Sequence, residues 1–127
     1  FIENYKTQSK PYEISDEAIE VLRSLAHLNN GYIHVWNVFD GKSMVAGLLW
    51  LKDERRITYL VPMTLETGKK LHAVTFLINE LIHDFQERDM LLDFEGSMVK
   101  GVEKFYQSFG AVPEYYSYYK KRFLSNV

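Results

Sequence analysis

Cysteine is absent from the 127 residues, which excludes disulfides, thiolate metal sites and a cysteine nucleophile. A cytoplasmic origin is the expectation that goes with a cysteine-free chain. No apolar run approaches the ~20 residues that span a bilayer, and no basic start leads into an apolar stretch in the manner of a signal peptide. Neither sign of charge dominates: the net charge is −2, so nothing global draws the chain to nucleic acid or to an anionic membrane. No GxSxG, P-loop or dinucleotide fingerprint is present.

What is there reads as one globular α/β domain. Apolar residues make up 46% and charged residues 25%, an ordinary composition that excludes disorder and leaves enough chain for one real core. The first residue is Phe1 rather than Met, which is read as an excised or processed piece of a longer polypeptide. Tyrosine occurs nine times, with a cluster from Tyr106 to Tyr119.

Taken in order, Phe1, Ile2 and Tyr5 share one helical face, and Pro11 would interrupt that helix. Ser15 is an N-cap, with Asp16 and Glu17 in the first turn, where the helix dipole favours negative charge. Ile19, Leu22, Leu25, Ala26 and Leu28 give its apolar face, and Asn29-Asn30-Gly31 ends it. Three strands follow, Tyr32–Phe39, Met44–Leu51 and Ile57–Val61. They are joined by a hairpin turn at Asp40-Gly41 and a charged turn at Lys52–Arg55. Gly47 marks a bulge or a close backbone approach, and at Pro62 pairing should stop or splay. A long helix is expected over Gly68–Gln86, then a strand Met90–Asp93, a helix Lys100–Phe109 closed by Gly110, and a last strand Glu114–Phe123. The order α-β-β-β-α-β-α-β predicts a mixed sheet with helices on both faces.

Chemistry is expected where Met90–Asp93 ends in the acidic turn Phe94–Ser97 and runs into a helix. Glu95 there is placed to deprotonate an amine. Asp93 and Ser97 are read first as groups that satisfy backbone donors at a helix start, and Glu95 is open between the two roles. Lys69 and Lys70 stand at a helix start, where the dipole disfavours them; they either hold a phosphate group or are solvated surface lysines. His72 and His83 are roughly 16 Å apart along one helix at about 1.5 Å per residue, so they share no ion, and no metal site is expected. The run Tyr115–Arg122 interleaves aromatic and basic side chains, as a nucleotide-stacking strand or as half-buried sheet surface.

The order of elements, with four stretches of sequence, resembles the acyl-CoA N-acyltransferase fold of the GNAT superfamily. It resembles most closely the C-terminal half of two-domain Fem-type proteins. The stretches are Gly41-Lys42 to Gly47, Tyr59-Leu60 to Gly68–Ala73, Asp93-Phe94-Glu95-Gly96-Ser97, and Phe105-Tyr106-Gln107-Ser108-Phe109-Gly110-Ala111. The resemblance covers Ser15 to Phe123. It implies a bacterial transferase moving an acetyl or aminoacyl group to a small amine or peptide acceptor, in a V-shaped cleft between the third strand and the strand at Met90. Tyr106 matches the family's proton donor to the leaving thiolate, with Glu95 as base. Val61, Met63, Gly68, Lys69, Lys70, Leu71 and Ala73 would hold the cofactor, and Asp93 and Ser97 the acceptor.

The sequence also departs from the pattern. The glycine pair of the pyrophosphate loop is lost, with Lys70 and His72 where glycine is expected, and Val99 stands at the usual Asn. Acetyl-CoA or another acyl-CoA, and aminoacyl-tRNA as in the Fem-type members, therefore both stand as donors. A non-catalytic half that binds a ligand or packs on a partner stands beside them. The partners implied are an N-terminal domain of the same polypeptide, a second copy of the chain in a homodimer, or tRNA.

Overall fold

Four strands form one mixed sheet in the order β1-β2-β3-β4 in the computed structural model, which describes residues 1–8, 14–28, 31–96 and 99–121. The chain divides into two compact units, Phe1–Glu95 and Gly96–Val127. In the first unit, helices α1 (Ile2–Thr7) and α2 (Asp16–His27) precede strands β1 (Ile33–Asp40), β2 (Ser43–Lys52) and β3 (Arg56–Thr64). Helices α3 (Glu66–Lys70) and α4 (Ala73–Phe85) then lead to β4 (Leu91–Asp93). β1 and β3 each pair antiparallel with β2, and β3 pairs parallel with β4.

The turns follow from their residues. Asp40 still pairs with Ser43, so the hairpin turn falls on Gly41-Lys42, one residue later than expected, with Gly41 at φ +60. Asp53 makes the next turn: its Oδ1 accepts from the backbone N–H of Arg55 at 3.0 Å and of Arg56 at 2.9 Å. Those two N–H groups hold the Asp53 carboxyl below the usual carboxylate range. Ser15 caps α2 as expected, its Oγ accepting from Ala18 N–H at 3.2 Å.

Neighbouring residues of a strand point to opposite faces, and β2 shows the consequence. Leu49 joins Tyr5, Ile19, Val61 and Met63 in a core under α1 and α2. Trp50 turns the other way and meets Phe85 of α4 edge-on at 5.9 Å. Helices therefore cover both faces, as the element order predicts. Leu48, Ile57, Met63, Ile78 and Leu81 are the largest fully buried side chains, each stabilising the fold by roughly 1.5–3 kcal/mol on burial. α2 meets the core through Ile19, which is buried, and Leu22, which is half-buried, whereas Leu25 and Leu28 are 39% and 66% exposed. Gly47 lies where a Cβ would strike the Phe1 ring and the Asn37 side chain, the close approach its position suggests. The register shifts fall elsewhere, at Val38/Phe39 and Leu49/Trp50.

Two expectations for this unit are corrected. Pairing does not stop at Pro62, which lies opposite Leu48, and β3 continues on β2 to Thr64. Beyond Thr58 one side of β3 has no strand beside it among the described residues, and such an edge tolerates a missing N–H. The helix expected over Gly68–Gln86 is two helices. α3 ends at Lys70, and His72 takes a left-handed conformation (φ 53, ψ 39) before α4 begins.

In the second unit, helix α5 (Lys100–Gln107) buries no residue fully. Phe105 makes ring contacts with Tyr106 and Phe109, and Ser108 Oγ donates to the Phe105 carbonyl. Gly110, at φ +87, closes the segment. The last strand is not formed over Glu114–Lys121, and Arg122 and Phe123 lie outside the described residues. A strand needs a paired neighbour to persist. Tyr115, Tyr116, Tyr118 and Tyr119 are 80% to 90% exposed, so the expectation of a half-buried sheet surface gives way to open side chains on irregular backbone.

Candidate functional site

The two sides of β3 differ. On one side it is paired with β2 from Ile57 to Thr64. On the other, the parallel rungs Arg56↔Leu91, Ile57↔Leu92 and Thr58↔Asp93 are followed by none. The strands part there, one rung before Tyr59 and well before Pro62. Among the described residues the Leu60–Thr64 stretch thus has no strand on that side, and Tyr59 meets the Phe94 ring at 5.4 Å at the parting point. Leu60 has no rung partner on β2, since Trp50 pairs with Tyr59 and Leu49 with Val61. Such an extra residue bends a strand and raises its twist. Val61 and Met63 are buried, at 4% and 0% exposure, in the core beneath α1 and α2. What they offer a ligand is backbone, not side chain.

Beyond β3 the chain makes one tight corner. Leu65 N–H donates to the Val45 carbonyl at 3.0 Å, and Gly68 is buried so close that a Cβ would collide with that same carbonyl oxygen. The glycine expected to cradle a cofactor is therefore used to seat α3 on β2. Lys69 is paired with Glu66, Nζ to Oε1 at 2.7 Å, while Lys70 is exposed and makes no ion pair among the described residues. Leu71 is 53% exposed and Ala73 only 3%. α4 then starts without a side-chain cap and without an acidic residue in its first turn. Its leading N–H groups and the positive end of its dipole suit an anion.

At the end of β4, Asp93 makes two bonds. Its Oδ2 accepts from Arg56 Nη1 at 2.6 Å, and its Oδ1 accepts from Glu95 N–H at 2.7 Å. Glu95 is exposed and left-handed, at φ +69. Ser97 lies outside the described residues. Tyr106 is half-buried on α5, in the second unit. Among the described residues no group of three or more His, Asp or Glu side chains is arranged to hold a metal, and no helix is long and apolar enough to cross a membrane.

Sequence reasoning missed three things here. Arg56 carried one usable signal, a charge opening a strand whose partner strand ends in Asp93. The left-handed His72 carried only its lack of a capping side chain. The parting of the strands was anticipated from Pro62, four residues too late.

A mixed sheet whose third and fourth strands part, followed in the chain by a helix start without a side-chain cap, agrees with an acyltransferase fold of GNAT type. Residues 3–107 match the family model of the acetyltransferase (GNAT) domain, and the chain belongs to that family. Among solved structures it is similar to a possible acetyltransferase from Clostridium difficile 630. That likeness has a TM-score of 0.66 at 11% identity, over 89% of this chain and 80% of the other, and speaks for the fold alone. A comparison with curated protein sequences gives no match.

Proposed function

We propose that the domain transfers an acyl group from acyl-CoA to an amine. The observation that supports this reading is the side of β3 over Leu60–Thr64 that has no strand beside it among the described residues, with the uncapped start of α4 following it in the chain. An extended chain bearing amides can add to a strand edge through its backbone groups, and a diphosphate suits exposed N–H groups at a helix start. The pantetheine arm and diphosphate of CoA have those two chemistries. In this reading the backbone of Leu60, Val61 and Met63 lines the arm. The phosphates lie at the first N–H groups of α4, from Ala73 onward, and near Lys70, with Leu71 exposed beside them. Bound acyl-CoA supplies an activated thioester. Glu95 then takes the proton of the attacking amine, and Tyr106 is the candidate to protonate the leaving thiolate, as in the family.

The corner between β3 and α4 favours a second reading. With Gly68 occupied by Val45 and Lys69 by Glu66, the loop lacks a close glycine cradle, and an aminoacyl-tRNA donor becomes the alternative. The experiment is thiol release from acetyl-CoA in the presence of a panel of amines, read with a thiol reagent. The chain contributes no background because it has no cysteine. Amine-dependent release that is lost in Tyr106→Phe supports the first reading. No release and no CoA binding, with saturable binding of aminoacyl-tRNA, supports the second.

A further inference from the structure

We propose that Asp93 is a positioning residue, one that sets where β3 and β4 part and the direction in which Glu95 leaves the turn. The proposal rests on the reading of Glu95 as the base.

Both carboxylate oxygens of Asp93 are engaged inside the chain, on two different elements. Oδ2 is bound to Arg56, the first residue of β3, and Oδ1 to the backbone N–H of Glu95, two residues on. In the parallel ladder Arg56 stands opposite Leu91, and Asp93 opposite Thr58. The ion pair therefore runs diagonally across all the rungs the two strands share, and ties the opening of the ladder to its last rung. A partly exposed pair of this kind, 51% and 27% exposed at the side chains, adds little to stability. Its use is geometric, since a charge-assisted bond of this length fixes the direction of the carboxylate.

The other oxygen acts on the backbone. Glu95 is left-handed, a conformation that crowds Cβ against the carbonyl and that residues other than glycine adopt only with local support. The bond from its N–H to Asp93 is such support, of the i to i+2 kind that aspartate makes in turns. Between them Phe94 is half-buried and touches Tyr59, so the turn is pinned from both sides and the Glu95 carboxylate is left exposed. Without Asp93 the N–H loses its acceptor and the turn its reason to stay left-handed. The base then moves relative to the edge of β3.

The test is the acyl-transfer kinetics of Asp93→Ala, Asp93→Asn and Glu95→Gln, with thermal melts to show that each is folded. A base displaced by about an ångström costs roughly tenfold to hundredfold, so Asp93→Ala is expected to lose that much in kcat while KM for acetyl-CoA stays within about twofold. Its pH–rate profile keeps the wild-type limb, since the base is still Glu95, whereas Glu95→Gln loses that limb. Asp93→Asn, which keeps an oxygen for the Glu95 N–H, falls between wild type and Asp93→Ala, and carries the test if the alanine variant does not fold. Inactive Glu95→Gln beside fully active Asp93 variants overturns the positioning role alone. Loss of the limb in Asp93→Asn overturns it as well, making Asp93 the base. Full activity of Glu95→Gln overturns the reading of Glu95 and this proposal with it.

Discussion

Helices α2 and α4 open in opposite ways. α2 has a serine cap and two acidic residues in its first turn, so its leading N–H groups and dipole are answered within the chain. α4 has neither, and the residue before it is a left-handed histidine. Both helices pack on the same sheet and both are amphipathic, so packing does not account for the difference. The start of α2 is built for stability. In the proposed function that of α4 receives an anion from outside, and it follows the part of β3 that has no neighbouring strand among the described residues.

The contrast can be broken most severely at Gly68, which seats α3 and so places the start of α4. Gly68→Ala drives a methyl into the Val45 carbonyl and is expected to cost about 3 kcal/mol, at the upper end for overpacking, in a denaturant titration. Ser15→Ala removes the cap of α2 and should cost about 1 kcal/mol by the same measurement. At the other helix, His72→Gly relieves the left-handed strain of roughly 1 kcal/mol but loosens the unfolded chain by a similar amount. Stability should therefore stay within about 0.5 kcal/mol, and acetyl-CoA affinity should be unchanged.

A pH-dependent effect is expected at the turn of Asp53. Its carboxyl is depressed by the N–H groups of Arg55 and Arg56, so its contribution is present above the unfolded pKa of about 3.9 and lost as pH falls through the lower folded value. Asp53→Asn should melt below wild type at neutral pH, and the gap between their melting temperatures should narrow as pH falls through the acidic range. A gap that widens on acidification would contradict the assignment.

Much of the fold was legible because local chemistry and tertiary structure agree. Ser15, Gly41 and Gly110 each state a local preference that the fold keeps. Errors arose where a long-range partner decides. Nothing local at Gly68 shows that its missing side chain serves the Val45 carbonyl, 23 residues earlier in the numbering, nor that His72 divides what reads as one helix. The strand expected over Glu114–Phe123 has the right residues, but a strand exists only by pairing, and pairing is not written in its own sequence. Of the candidate site, Glu95 and Asp93 stand in the turn that the sequence singles out, whereas the ion pair of Asp93 depends on Arg56, which lies 37 positions away. Val61 was placed on the correct strand, while Met63 was expected beyond its end and lies within it. Their side chains, however, point into the core, and only their backbone reaches the edge.

The most direct test of the central claim is calorimetric titration of acetyl-CoA into the wild-type protein and into His72→Asp. The account predicts saturable one-to-one binding to wild type. In the variant, a carboxylate both occupies the free N–H groups of α4 and repels phosphate, and affinity should fall by about tenfold, some 1.4 kcal/mol. Equal binding to both proteins, or none to wild type, would contradict the claim that the open start of α4 is kept for the phosphates of an acyl donor.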